Sequence, residues 1–192
     1  MIYPIYVYGT TILRKKTSEI GQDYPDLQQV ISNMHETMRF SEGVGLAAPQ
    51  IGLSIRIFVV DATGSGKEEE GFDEDDEDLS DFKKTFINPK ITRSWGEPWI
   101  FNEGCLSIPD LREDVSRPES IRIQYYDEEF KFHDEEYDGV RARIVQHEYD
   151  HLEGILFVDK INPLRKRLIA GRLNAISKGK VDTRYKIKIA SK

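Results

Sequence analysis

The stretch from Asp138 to Leu152 constrains this 192-residue chain more than any other. It reads as a helix, with Gly154 just past its end as a C-cap. Val140, Ile144, His147 and His151 follow one another at spacings of 4, 3 and 4, so two imidazoles share a helical face with two aliphatic side chains. Such a face turns inward, and the rest of the chain must cover it. The cover is predicted to be strand. Ile55–Val60, Thr85–Ile91 and Ile121–Tyr126 are rich in β-branched and aromatic residues, and Pro89 confines the second to a sheet edge or a bulge. Asp127-Glu128-Glu129 suits a turn into Phe130–His133, giving a hairpin. Asp23-Tyr24-Pro25-Asp26 predicts a capped start for an amphipathic helix over 26–40, which Gly43-Val44-Gly45 ends. A third, basic helix is expected from Pro163 to about Lys178, and Arg184–Ile189 alternates as a final strand. The fold class is α+β: antiparallel strands packed around a buried central helix that carries a His-Glu-x-x-His motif, with a C-terminal helix. One domain over 1–192 is expected from the length.

Composition narrows the setting. At 39% hydrophobic and 32% charged residues the chain is globular in type, and no apolar run approaches the roughly 18 residues of a membrane-spanning helix. The short apolar stretch at the start is followed by its charges and by no small-residue cleavage site, which predicts no secretory leader. Cys105 is the single cysteine, so no intramolecular disulfide forms, and a reducing, cytoplasmic location is expected. The net charge of −7 is unevenly spread. Residues 67–84 hold ten acids against three lysines, so 64–84 reads as an acidic, solvated loop insertion. Residues 159–192 hold eleven Lys and Arg against two Asp, which makes 163–192 a basic helix and tail, suited either to a polyanion or simply to solvent.

The histidine pair is the strongest chemical signal. In His147-Glu148-Tyr149-Asp150-His151 both rings can reach one ion, whereas the alternative is a chance spacing of two core or surface histidines. A catalytic site needs three protein ligands and an open position. In one class of zinc protease the third ligand would fall at Phe157, which has no donor atom; in another it is a downstream glutamate, and no glutamate follows Glu153. His35 lies beside an apolar stripe and His133 in an acidic hairpin, and both read as incidental. Cys105, in Glu103-Gly104-Cys105-Leu106-Ser107, is the better candidate, since a lone thiol next to glycine can become a metal-bound thiolate. As an isolated cysteine it would otherwise read as a small buried hydrophobe. Glu148 is rotated about 100° from His147 on the wheel, so it can face the water without being a ligand and act as general base and then acid.

Three segments together resemble peptide deformylase: Gly43-Val44-Gly45-Leu46-Ala47-Ala48-Pro49-Gln50, Glu103-Gly104-Cys105-Leu106-Ser107 and Gln146-His147-Glu148-Tyr149-Asp150-His151. Their order and separation fit the family, and the similarity covers most of residues 1–165. The acidic stretch is an insertion relative to compact members, and residues after about 165 match loosely. The resemblance implies hydrolysis of the formyl group from N-formylmethionyl ends of newly made polypeptides, with release of formate. It implies Cys105, His147 and His151 as ligands of one divalent ion, Fe²⁺ physiologically, although the donor set also accepts Zn²⁺, Ni²⁺ or Co²⁺. It further implies the side-chain amide of Gln50 and the backbone N–H of Leu106 as donors to the anionic intermediate. A bound peptide would pair like an added strand with Val44 and Gly45 and with the backbone around Gly104, passing Arg112. Helix phase puts Val140, Arg143 (through its methylene stem) and Ile144 with Val44 around the methionine, with core packing as the alternative for Val140 and Ile144. Asp150 is expected to orient a ligand or to pair with Arg117.

The resemblance also implies that the basic C-terminal helix docks at the ribosome surface, with no membrane and no sequence-specific nucleic acid as partner. Two rival classes remain on the residues alone. A zinc endopeptidase shares the His-Glu-x-x-His signature but lacks its downstream ligand here. A non-catalytic ribosome-binding metalloprotein would explain the basic tail, but a structural site takes four protein ligands and no buried free glutamate.

Overall fold

The computed structural model describes residues 1–64 and 79–190. Among these, the elements run β1 (Ile5–Tyr6), α1 (Leu27–Phe40), β2 (Gly45–Ala47), β3 (Ile57–Asp61), β4 (Lys83–Trp95), β5 (Trp99–Cys105), β6 (Ile108–Arg117), β7 (Ser120–Tyr126), β8 (Phe132–Tyr137), α2 (Gly139–Leu152), α3 (Pro163–Leu168), α4 (Ala170–Ser177) and β9 (Ile187–Lys188). The class is α+β, with antiparallel sheets and C-terminal helices. Five strands form one antiparallel sheet in the order β2-β3-β4-β7-β8, β5 and β6 form a hairpin, and β1 pairs in parallel with β9. No described helix is long and apolar enough to cross a membrane.

The five-stranded sheet is covered on both sides, and β3 shows why. Phe58 and Val60 point into one cluster with Val140, Ile144 and Val145 of α2. Ile57 and Val59 point the other way, against Leu27, Ile31, Met34 and Met38 of α1. A strand apolar at four successive positions, Ile57–Val60, is what two-sided burial demands. A third cluster joins Ile108, Leu111 and Val115 of β6 to Phe157, Ile169, Leu173 and Ile176. The Cys105 end of the hairpin is thereby anchored to the C-terminal helices.

Several expected boundaries move. Helix α1 begins at Leu27, because Asp26 adopts φ 53° and its side chain caps nothing, leaving Pro25 outside the helix. Strand β4 is central rather than an edge, and the Pro89 alternative of a bulge holds: its register with β7 skips between Ile87 and Lys90. There Asn88, at φ 50°, hydrogen-bonds Ile20 through both of its side-chain ends. The single basic helix over 163–178 is two helices that meet at Ile169, whose side chain is buried. Strand β8 runs over 132–137 rather than 130–133, and the final strand is only Ile187–Lys188. Strand β2 and the β5–β6 hairpin have no counterpart in the sequence reading. Of the expected acidic insertion over 64–84, residues 65–78 lie outside the described residues. Its far end is not loop: Leu79 and Phe82 are buried and Lys83 opens β4.

Candidate metal centre

Helix α2 buries eleven of its fourteen residues, including Arg143, Gln146, His147, Glu148, Asp150 and His151. Val140 and Ile144 pack into the core and also line a cleft. At the mouth of the same cleft the β5–β6 hairpin ends at Cys105, paired with Ile108. One donor atom from each of Cys105, His147 and His151 falls in a group whose members all lie within 4.8 Å of one another. The Cys105 Sγ is 3.3 Å from His151 Nε2. His147 directs Nδ1 at the Glu103 carboxylate at 2.8 Å; a carboxylate accepts only, so Nδ1 carries the proton and Nε2 stays available. Phe157, where a protease would place its third ligand, stacks on the His147 ring instead. His35 and His133 lie elsewhere, beside Thr85 and Asp127.

A soft sulfur and two buried imidazole nitrogens facing one point suit a divalent transition metal. Among the described residues no fourth Cys, His, Asp or Glu joins the group, so the donor set leaves a position for solvent or substrate. Glu148 is the next residue along α2. It is buried, and among the described residues its Oε2 has no hydrogen-bond partner. Burial pushes its carboxyl up to about 7, with His147 opposing the rise and Glu103 adding to it. Gly45 of β2 makes room for this carboxyl: a Cβ there would fall 2.7 Å from the Glu148 carboxyl carbon.

Gln50 follows β2 on a short 3-10 turn, Ala48–Ile51. Its Oε1 accepts from the Ala47 N–H at 2.8 Å, which fixes the amide so that Nε2 donates to Ser107 Oγ at 3.1 Å and faces Cys105 Sγ at 3.5 Å. Leu106 sits beside it in the turn of the hairpin. Val44, Gly45, Gly104, Arg112 and Arg143 also line the cleft, a cavity of about 820 Å³. The Arg112 guanidinium is held by Asn102, at 3.1 Å to its side chain and 2.7 Å to its carbonyl.

Sequence reasoning quoted Glu103 only as part of a motif, but it is the centre of the polar network. Besides His147 it accepts from Arg117 at 2.6 and 2.9 Å and from Arg143 at 2.9 Å. Burial works to raise its carboxyl; hydrogen bonds from Arg117 and His147 overcome that and hold it well below the usual carboxylate range. Arg117 reaches Asp150 at 2.6 Å, one of the two partners expected of Asp150. The Arg143 guanidinium, expected to offer the cleft only its stem, ties β5 and β6 together through Trp99 O and Val115 O. One available signal was strand alternation, which puts Glu103 on the same side of β5 as Cys105.

A family model described as Polypeptide deformylase matches residues 2–167. The chain is 52% identical to a peptide deformylase of Flavobacterium johnsoniae over 191 residues, covering 100% of this chain and 97% of that one. It is 50% identical to a peptide deformylase of Christiangramia forsetii, covering 98% of this chain and 96% of the relative. Among solved structures, a Legionella pneumophila peptide deformylase superposes with a TM-score of 0.78 at 33% identity, covering 94% of this chain and 98% of that one.

Proposed function

The chain belongs to the peptide deformylase family, and on that premise we propose that Cys105, His147 and His151 hold its metal ion while Glu148 moves the proton. The family's reaction is this chain's reaction: hydrolytic removal of the N-formyl group from nascent formylmethionyl polypeptides. The endopeptidase and non-catalytic readings give way to it. The family is a metalloenzyme family. The ion, when bound, supplies Lewis acidity and water of lowered pKa.

The chain's own residues supply the rest. A water oxygen adds to the formyl carbon while Glu148 accepts a proton from that water. Charge gathers on the former carbonyl oxygen, where the Gln50 Nε2–H and the Leu106 N–H donate. The C–N bond then breaks, Glu148 returns the proton to the leaving nitrogen, and formate and a free amino terminus result. A carboxyl near 7 is suited to both transfers at neutral pH. Val44, Val140, Ile144 and the stem of Arg143 enclose the methionine side chain. The backbone at Val44, Gly45 and Gly104 pairs with the peptide, which runs past Arg112.

The observation that carries this reading is the convergence of three donors beside a buried, unpartnered Glu148 oxygen. Formate release from formyl-Met-Ala by Glu148→Ala tests it. Turnover should fall by about 10²–10⁴-fold, the range for a general base, with metal content unchanged. Parent-like turnover would remove Glu148 from the chemistry, and lost metal would make it a ligand.

The ion is Fe²⁺ in this reading on the family resemblance, since the donor set itself does not select among Fe²⁺, Zn²⁺, Ni²⁺ and Co²⁺; an iron–thiolate centre is oxidisable. Anaerobic preparation should then give higher activity than aerobic preparation; equal activity with bound zinc would refute iron. The whole of 1–192 acts as one domain in the cytoplasm, with an acidic insertion that ends before the buried Leu79, and with the basic segment 163–180 docking by charge at the ribosome, where nascent chains emerge. Removing that segment would strip Ile169, Leu173 and Ile176 from the core. Reversing the charge of Arg167, Lys178 and Lys180 is the cleaner test: ribosome affinity and its salt dependence should fall, and unchanged values would refute docking.

A further inference from the structure

The family match ends at residue 167, yet the cleft is also lined by Asp182, Thr183, Arg184 and Tyr185. Strand β9 brings this segment there. It pairs with β1 in the register Ile5 with Ile187 and Tyr6 with Lys188. The Ile5 N–H donates to Lys186 O at 2.8 Å and the Val7 N–H to Lys188 O at 3.0 Å. Just before β9, the Tyr185 hydroxyl donates to Leu106 O at 2.8 Å. Just after β1, the Tyr8 N–H donates to Ser107 O at 2.8 Å. Two successive carbonyls of one turn are thus held by two segments that are bonded to each other. The turn begins at Cys105. The Thr183 hydroxyl donates to Tyr185 O at 2.7 Å and sets the backbone that aims the phenol.

We infer that Tyr185 is a positioning residue for deformylation: by holding the Leu106 carbonyl it fixes the turn that presents the Leu106 N–H to the formyl oxygen. This rests on the reading of Leu106 as a donor to that oxygen. The Leu106 carbonyl and N–H belong to adjacent peptide groups hinged at one Cα, so restraining the first restricts swing of the second. A donor contributes most when it is in place before charge develops, and removing one outright costs about 10²–10³-fold in kcat. Loosening one costs less, because the N–H remains and water can reach the half-buried carbonyl. A loss of about tenfold is expected on this scale.

Tyr185→Phe deletes only the hydroxyl. Formate release from formyl-Met-Ala, with metal content measured on the same sample, should show kcat lowered about tenfold with KM within twofold and full metal loading. Amide hydrogen exchange supplies a readout independent of turnover. Exchange should quicken at residues 105–108 and stay unchanged at Phe58–Val60 of β3, a pattern that general destabilisation would not give. Lys186→Ala, an exposed change on the same segment, should behave as the parent. An active parent with Tyr185→Phe at parent kcat, or with its whole loss in KM, overturns the inference and leaves the deformylase reading standing. An inactive, metal-loaded parent overturns that reading instead, and exchange at 105–108 still decides whether Tyr185 restrains the turn. Should Tyr185→Phe fail to fold, Thr183→Ala decides: a twofold to fourfold fall in kcat at constant KM supports the inference, and parent kcat refutes it.

Discussion

Helices α1 and α2 have the same length and cover opposite faces of one sheet, yet they are built on opposite plans. Helix α1 buries Leu27, Ile31, Met34 and Met38 along one stripe and leaves its other side to solvent. Helix α2 is buried nearly all round and carries into the interior a glutamate, an aspartate, an arginine and two histidines. The first plan gains stability from area removed from water. The second requires a partner for every charge it buries, and the partners come from the hairpin: Glu103 for His147 and Arg143, and Arg117 for Asp150. Among the described residues Arg143 Nε, His151 Nδ1 and Glu148 Oε2 on α2 are left without a hydrogen-bond partner, and the last is the oxygen to which the proposed proton transfer is assigned. One face of the sheet holds the fold, and the other holds a reactive arrangement that the fold must tolerate.

The comparison breaks most readily at its polar end. Glu103→Ala leaves Arg143 buried without a carboxylate and Arg117 with Asp150 alone, and removing one member of such a group costs about 3–5 kcal/mol. It also frees the His147 ring, which should weaken metal binding about 10–100-fold. Denaturant unfolding and metal competition measure the two effects separately. A stable variant with parent metal affinity would show that the network is ornamental.

On the apolar face, Met34→Ala should cost about 2–5 kcal/mol through the cavity it leaves. Its kcat per folded, metal-loaded molecule should be unchanged. A change in kcat at full folding would mean that the two faces are not separable.

The smallest effect lies at the rim. Asp159 takes hydrogen bonds from Arg14 and Lys166, the latter at 2.7 Å, and from the Leu156 N–H. Burial works to raise its carboxyl, but these bonds lower it to about 2. A depressed carboxyl stabilises the fold above its ordinary pKa near 3.9, and the contribution disappears as pH falls towards 2. Because the pair is partly exposed, Asp159→Asn should cost no more than about 1 kcal/mol at neutral pH. Melting curves of parent and variant should converge as pH approaches 2. A gap that persisted there would assign the effect to packing rather than charge.

Much of this design was legible in the sequence, for identifiable reasons. Helix α2 declared itself through periodicity and the cap at Gly154, which takes φ 74°. Cys105 emerged once other ligands had been eliminated. The β5–β6 hairpin did not, because alternation is normally read from apolar residues. Strand β6 does alternate in burial, but its buried positions include Glu113 and Arg117. Their partners are Arg165, Glu103 and Asp150, all distant in sequence, so no local window shows why charges point inward. The grip of Tyr185 on Leu106 was hidden for the same reason.

The parallel seam between β1 and β9 has one more consequence. It joins Ile5 to Ile187 by two residues on each side and closes nearly the whole chain into a loop. Contacts so far apart in sequence form late, and a seam two residues long, with its β9 side half-buried to exposed, belongs to the parts that open early. On warming, the seam should part while the five-stranded sheet is still intact, so heat inactivation should precede melting of the fold.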